Sequence, residues 1–258
     1  MKLLVDIGNT RLKSALLIDG RLTEHRALSW RGDALTDRLA VLWAGFHPDD
    51  VAISCVAPGE VVQHVCEHAD RVWHLQPKIA KFRDDIFGLR CGYKQPEKLG
   101  IDRWLAMLGA WGRRPASWVV ADLGTAATID VINNSGQHLG GCIFAGVETQ
   151  RRALSQQTAA LPQVDKNNTD LLANETHDGI ALGTLLSVVG GVRELNSNAK
   201  TWSSCEGVSL CLTGGSAPLV AERLSDENAV FPYLVLEGLA MSEFEIKIST
   251  QEAIANSH

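Results

Sequence analysis

Two similar α/β domains are expected of this chain of 258 residues. Two segments read as copies of one another. One is Asp6-Ile-Gly-Asn-Thr10, followed by the alternating stretch Arg11 to Ile18 and then Asp19-Gly20; the other is Asp122-Leu-Gly-Thr-Ala126, followed by Ala127 to Ile132 and then Asn133-Asn-Ser-Gly136. The copies lie 116 residues apart, and in each a turn glycine falls 14 residues after the Asp. An apolar strand precedes each copy, Leu3 to Val5 and Trp118 to Ala121, so both halves open with a β-meander closed by hairpin-type turns. Helical and strand patterns then alternate in both halves, which asks for a sheet covered by helices.

In the first half, Asp33 to Ala44 has a helical pattern and Val51 to Cys55 reads as a strand. Pro58 to His68 reads as a helix with Pro at its start, and Val72 to Leu75 as a further strand. In the second half, Val147 to Gln156 and much of Thr176 to Asn198 read as helices. Val208 to Leu212 is expected as a strand, Ala217 to Leu224 as a helix and Leu234 to Ile246 as a final helix. Residues 158 to 174 are polar, carry Pro162 and read as a loop. A meander followed by alternating helices and strands, duplicated, is the plan of the actin-like, ribonuclease H-like ATPase fold (the ASKHA superfamily), with a nucleotide cleft between its domains. The boundaries are expected at 1–114 and 115–258, with Gly112 to Pro115 as the link.

Composition excludes several classes of function. Lys plus Arg total 24 against 30 Asp plus Glu, a net charge of −6, so release of counterions from nucleic-acid phosphates gives this chain nothing. No nucleic-acid partner is expected. The opening Leu3-Leu4-Val5 is cut short by Asp6, which prevents a signal-peptide core. The longest near-apolar run, Ala40 to Phe46, is far below the ~18 residues of a membrane span. A cytoplasmic protein without a membrane partner is expected. Its six cysteines (55, 66, 91, 142, 205, 211) form no C-x-x-C and no zinc spacing with histidine, so they read as reduced, mostly buried small hydrophobes. His64 and His68 stand four apart on one helix but lack a third ligand. Trp30, Trp43, Trp73, Trp118 and Trp202 read as packing residues.

Three motifs carry chemistry. In Asp6-x-Gly-Asn-Thr-x-x-Lys13, an Asp at the end of a strand can hold magnesium, through water because that ion dehydrates reluctantly. The Gly8 to Thr10 turn offers backbone N–H groups and a hydroxyl to phosphate oxygens, and Lys13 adds positive charge. A tight hairpin with an Asx bond and a solvated lysine would have the same sequence. The second copy, Asp122-x-Gly-Thr-Ala-x-Thr128, favours the phosphate reading, since two such turns facing one another across a cleft build a site that unrelated turns would not. There is no Walker sequence in the chain. Thr213-Gly214-Gly215-Ser216-Ala217, between a strand and a helix, would let a base or ribose approach the backbone, or would simply be a helix start capped by Ser216.

The third motif is Tyr93-x-x-Pro96-x-x-Leu99-Gly100-x-Asp102-Arg103. Ile101, Trp104, Leu105, Leu108 and Trp111 follow at helical spacing, which puts Asp102 and Arg103 in a first turn. There Asp102 is either a capping acid favoured by the helix dipole or a carboxylate held to accept a hydroxyl proton during phosphoryl transfer.

On these residues, with Gly140-Gly-Cys-Ile143, the sequence resembles the type III pantothenate kinases, the Bvg accessory factor-like family, over essentially its whole length. The resemblance implies ATP-dependent phosphorylation of pantothenate to 4'-phosphopantothenate, the first step of coenzyme A synthesis, by a cytoplasmic homodimer. It implies that Asp6, Ile7, Gly8, Asn9, Thr10, Arg11, Leu12, Lys13 and Thr125 bind ATP. Tyr93, Gly100, Ile101, Asp102 and Arg103 would bind pantothenate, with Asp102 the proton acceptor. Thr176, in Thr-x-x-x-Ile-x-x-Gly183, matches a further substrate-contacting position. Asp122 would bind a monovalent cation, potassium or ammonium. Two positions depart from the family: Ala145 stands where Pro usually precedes the glycine, and Ser216 where an acidic residue is frequent. Both put nucleotide affinity in question more than reaction type.

Two other readings compete with the kinase. A regulatory protein could keep the fold without turnover, but it would need none of Asp6, Asp102 and Asp122. Another small-molecule kinase of the same fold would not need the Tyr93 to Arg103 motif. A dimer is also expected from the helix Leu99 to Trp111, where Trp104 and Met107 beside Leu105 and Leu108 exceed one internal face.

Overall fold

The computed structural model describes residues 1–167, 170–224 and 228–248. Strands β1 (Lys2–Ile7), β2 (Arg11–Ile18) and β3 (Arg21–Ser29) form the first meander, followed by α1 (Leu35–Leu42), β4 (Asp50–Cys55), α2 (Gly59–Trp73), β5 (Lys78–Ile79) and α3 (Ile101–Arg113). The second meander is β6 (Trp118–Leu123), β7 (Ala126–Ile132) and β8 (His138–Ala145). After it come α4 (Val147–Gln157), α5 (Thr176–Thr201), β9 (Ser209–Thr213), α6 (Ala217–Ala221), β10 (Asn228–Val230) and α7 (Leu234–Phe244).

The duplication is visible in strand order. One sheet runs β3-β2-β1-β4-β5 and the other β8-β7-β6-β9-β10, the same plan twice. In each, the central strand pairs antiparallel with the next strand of its meander and parallel with the strand that returns after a helix. The β2–β3 turn places both Asp19 (φ 49°) and Gly20 (φ 75°) in the left-handed region, as a two-residue hairpin of matching twist requires.

The chain folds as two compact units. The first contains Met1–Ala116, Ser135–His138 and 233–248; the second contains Ser117–Asn134 and 139–232 in so far as they are described. In the first unit Leu3, Val5, Ile7, Leu12, Leu16, Val51 and Ile53 turn one face of the sheet onto Leu35, Leu39, Val61, Val65 and Ala69 of α1 and α2. In the second, Val119, Ala121, Leu123, Ile129, Leu210 and Leu212 meet Leu185, Val188, Val189 and Val192 of α5. Strand alternation sends Asp6 and Asp122 to the opposite faces of their own sheets.

Two readings of the sequence are corrected. Val72 and Trp73 are the last turn of α2 rather than a strand, and His74 ends the helix in the left-handed conformation (φ 57°). The strand of that region is β5, which starts four residues after His74. Helix α3 offers no spare apolar face: Trp104, Leu105, Met107 and Leu108 are all 0% exposed within the single chain. Its second cover is α7, and Gly238 permits their contact, since a Cβ there would lie 1.9 Å from the Leu105 carbonyl oxygen. The segment 158–174 has no helix or strand among its described residues, and 168–169 lie outside them.

His64 and His68 serve packing. His64 Nδ1 lies 3.2 Å from Thr36 Oγ1, while buried His68 meets Trp43 and Trp73 edge-on, with ring centroids 5.3 and 4.9 Å away. Burial, and secondarily Arg71, lowers the His68 pKa below 6.5, and burial does the same for His25. The folded state therefore binds fewer protons than the unfolded state. The resulting stability is complete above about pH 6.5 and is lost as pH falls through that value toward the folded pKa. Thermal unfolding is expected to move to lower temperature between pH 7.5 and 5.5, and His68→Leu to flatten that slope. An equal loss in both proteins would show that His68 does not contribute.

Candidate active site

The first unit gathers most of the expected residues. Asp6 is the second-last residue of β1, and its cross-strand partner on β2 is Lys13, on the same face of the sheet. Between them the chain turns at Gly8 to Thr10, where the Gly8 N–H donates to the Arg11 carbonyl at 3.0 Å. Trp30 Nε1 donates to the Gly8 carbonyl at 2.7 Å, fixing the turn from outside.

The Tyr93 to Arg103 motif closes on itself. Gly100 is the residue before α3 and Asp102 lies in the first turn, where its Oδ1 accepts the Arg103 N–H at 2.8 Å. Arg103 is buried, 5% exposed, and its Nη1 donates to Tyr93 Oη at 2.7 Å. Its guanidinium also lies 5.5 Å from the Tyr93 ring centroid. Ten residues apart in sequence, the two side chains form one polar group beside Asp102.

Tyr93 is steadied by a residue that no sequence pattern marked. The His138 ring, 1% exposed, stacks on Tyr93 at 5.7 Å and 20°. Behind it, Arg90 N–H donates to the Gly136 carbonyl at 2.8 Å and His138 N–H to the Arg90 carbonyl at 2.9 Å. The loop carrying Tyr93 is thus stitched to residues 136–138 of the same unit.

The second unit repeats the arrangement with different neighbours. Asp122 is the second-last residue of β6, flanked in register by Thr128 on β7 and Thr213 on β9. The position of Lys13 is therefore a threonine here. The turn at Gly124 and Thr125 docks on the start of α4, with Gly146 N–H and Thr149 Oγ1 donating to the Thr125 carbonyl at 3.0 and 2.6 Å. A Cβ at Gly146 would lie 2.0 Å from the Gly124 carbonyl oxygen, so the glycine itself, whatever precedes it, sets this contact. Gly214 (φ 90°) packs on Asp122, where a Cβ would lie 2.6 Å from Oδ1. Ser216 precedes α6 without a side-chain cap, and its N–H donates to the Leu123 carbonyl at 3.0 Å. The motifs of residues 122–126 and 213–216, far apart in sequence, thus meet at one end of the second sheet. Thr176, exposed at the first residue of α5, belongs to this unit, whereas Tyr93 and Asp102 belong to the first.

Burial raises the thiol pKa of Cys55, Cys66 and Cys205, which keeps them protonated near neutrality. All six are free thiols, with Cys205 and Cys211 buried and Cys142 exposed on β8. Among the described residues no group of three or more His, Cys, Asp or Glu could hold a metal, and no helix is long and apolar enough to cross a membrane.

A family model described as type III pantothenate kinase matches residues 2–198. This chain belongs to the type III pantothenate kinases. A relative of that name from Alkalilimnicola ehrlichii is 34% identical over 239 residues, which span 92% of this chain and 96% of its own. Another from Nitrosococcus oceani is 31% identical over 247 residues, spanning 93% and 92%. The fold is also similar to that of a Campylobacter jejuni protein described as a Baf family transcriptional activator, at 23% identity and TM-score 0.57 over 94% of this chain and 98% of that one. Component A of (R)-2-hydroxyglutaryl-CoA dehydratase from Acidaminococcus fermentans shares it at 12% identity and TM-score 0.51, over 95% and 96%. Those two likenesses concern architecture alone, and the two sheets of matching strand order agree with the duplicated α/β, actin-like fold expected of this chain.

Proposed function

We propose that this chain transfers the γ-phosphoryl group of ATP to the primary hydroxyl of pantothenate, giving 4'-phosphopantothenate and ADP as the first step of coenzyme A synthesis. The observation that carries the reading is the closed Tyr93–Arg103 group with Asp102 at the head of α3. Pantothenate brings one carboxylate and one primary hydroxyl. Arg103, buried and oriented by Tyr93, is the cationic group for the carboxylate, and Gly100 and Ile101 line the same segment. Asp102 accepts the hydroxyl proton as that oxygen attacks the γ-phosphorus in line and ADP departs. Asp6, the Gly8 to Thr10 turn and Lys13 handle phosphate, and Thr125 is assigned as a further ATP-binding residue. Magnesium, when bound, neutralises phosphate charge, and Asp6 would hold it through water. Thr176 is assigned as a further pantothenate contact.

The test is ADP release by the purified protein with ATP, magnesium and a potassium salt, pantothenate present or omitted. Release that needs pantothenate supports the reading. Hydrolysis indifferent to it, or none at all, overturns it.

A monovalent cation at Asp122 belongs to the same reading. Asp6 has Lys13 as its register partner, whereas Asp122 has Thr128 and Thr213, so a carboxylate and two hydroxyl-bearing residues, oxygen donors that suit a hard cation, share one row of the second sheet. Turnover is expected to be high in potassium and ammonium and low in sodium or a bulky organic cation at constant ionic strength. In Asp122→Asn the difference should shrink. Equal rates in all four salts, or an unchanged potassium response in Asp122→Asn, would remove the site.

Homodimerisation is the remaining element, and α3 does not support it. Its support is β8, which ends the second sheet and exposes Leu139 (41%) and Ile143 (60%), with Leu186 of α5 at 44%. An open, apolar strand edge is costly unless covered, and a second copy of this chain is the assigned cover. Light scattering is expected to give a dimer, weakened by Ile143→Lys. A monomer active at assay concentration would defeat this.

A further inference from the structure

The face of the first sheet that carries Asp6 holds one more polar residue without a role. β1 pairs parallel with β4, and the register sets Asp6 beside Ser54. Val51 and Ile53 turn into the α1–α2 core, so alternation directs Ser54 to the other face, the side of Asp6 and Lys13. The three residues form a row across the strands in the order Lys13, Asp6, Ser54. The second sheet has the matching row Thr128, Asp122, Thr213, so both halves place a hydroxyl residue on the parallel side of their aspartate.

Ser54 is 0% exposed, and its Oγ has no hydrogen-bond partner among the described residues. A buried hydroxyl left without a partner is costly, and each instance asks for an explanation. Alanine would fill a strand interior here at less cost. Neighbouring strands lie about 4.8 Å apart, so Ser54 stands one strand from the carboxylate assigned to magnesium. That ion keeps several waters at about 2.1 Å, each needing an acceptor or donor beyond the metal.

We propose that Ser54 Oγ is a further binding group at the Asp6 site, accepting a hydrogen bond from a magnesium-held water when the nucleotide complex is present. The proposal rests on the reading of Asp6 as the magnesium end. Ser54 is a positioning residue: it fixes the ion's water shell and touches no reacting atom.

The experiment compares wild type, Ser54→Ala, Ser54→Thr and Asp6→Asn, measuring thermal unfolding without ligand and ADP binding by calorimetry with magnesium or with EDTA. Ser54→Ala is expected to unfold at or above the wild-type temperature without ligand, yet to bind ADP about tenfold more weakly when magnesium is present. With EDTA its ADP affinity should equal that of wild type. Ser54→Thr should restore the magnesium-dependent affinity, as Thr213 fills the matching place in the second sheet. Unchanged magnesium-dependent binding in Ser54→Ala overturns the proposal. So does a loss equal in EDTA, or a lowered unfolding temperature without ligand, which would assign the hydroxyl to the fold. If Asp6→Asn leaves the magnesium effect intact, the reading of Asp6 fails and the proposal with it. If Asp6→Asn abolishes that effect while Ser54→Ala does not alter it, only the proposal falls.

Discussion

Asp102→Asn is expected to lower turnover by about a hundredfold or more while leaving the unfolding temperature unchanged. The substitution keeps shape and most local bonding. An Asn Oδ1 can accept the Arg103 N–H that Asp102 Oδ1 accepts at 2.8 Å, and Asn suits a helix start almost as well as Asp. What it loses is the negative charge and the capacity to take a proton. The surroundings show how closely this carboxylate is held. A Cβ at Gly100 would lie 2.7 Å from Asp102 Oδ1, so that residue must stay small for the side chain to keep its place. Phosphoryl transfer asks less of basicity than of position, because its loose transition state needs little proton removal early. The effect should therefore fall on kcat, with KM for pantothenate changing less, since Arg103 and Tyr93 remain. Near-normal kcat in a folded Asp102→Asn protein would remove Asp102 as the proton acceptor.

The duplicated architecture was legible because its marks are local. Asp19-Gly20 forces a hairpin turn, alternation sorts Leu3, Val5 and Ile7 from Asp6, and the same signals recur at Asp122. Short apolar runs were less informative. Val72 and Trp73 extend the i, i+4 stripe of Val61, Val65 and Ala69, and nothing within four residues separates the last turn of a helix from a strand. β5 and β10 have two and three residues, too few to show a period. The excess apolar surface of α3 was real, but its partner stands far along the chain. α7 is buried along nearly all its length, Glu237 included, which marks a helix covered from every direction without saying by what.

At the proposed site, motif chemistry points to residues that belong to a turn or a helix start: Asp6, Lys13, Asp102, Arg103 and Asp122. It did not find groups that act by long-range contact. His138 reaches Tyr93 across 45 positions, and Ser54 reaches Asp6 only through strand register. An isolated His or Ser in a strand pattern carries no signal until the pairing is known.

Breaking the ion pair that joins α3 to α7 is expected to be the most destabilising single change. Arg113 Nε and Nη2 each donate to a Glu237 carboxylate oxygen at 2.6 Å, with side chains only 11% and 7% exposed. The two parallel bonds match the guanidinium fork to the carboxylate, at a spot where neither charge has much water. Glu237→Ala leaves the Arg113 charge nearly buried without its fork partner, an expected loss of about 3–5 kcal/mol. That is a large part of the ~5–15 kcal/mol by which a domain is folded. Replacing both partners by apolar residues of similar size, Arg113→Met with Glu237→Leu, should return stability close to wild type, because the attraction in the pair is largely offset by the cost of drying both charges. The functional consequence follows the helix. Asp102 and Arg103 are presented by the first turn of α3, whose other end the ion pair holds. Glu237→Ala should therefore lose turnover at temperatures where the wild type is unaffected, and the double apolar variant should recover it. Urea unfolding of the wild type, Glu237→Ala and the double apolar variant, with turnover measured alongside, provides the check. A loss below about 1 kcal/mol in Glu237→Ala would place the pair among weak surface bridges. A double variant as unstable as Glu237→Ala would instead assign the effect to packing between the helices.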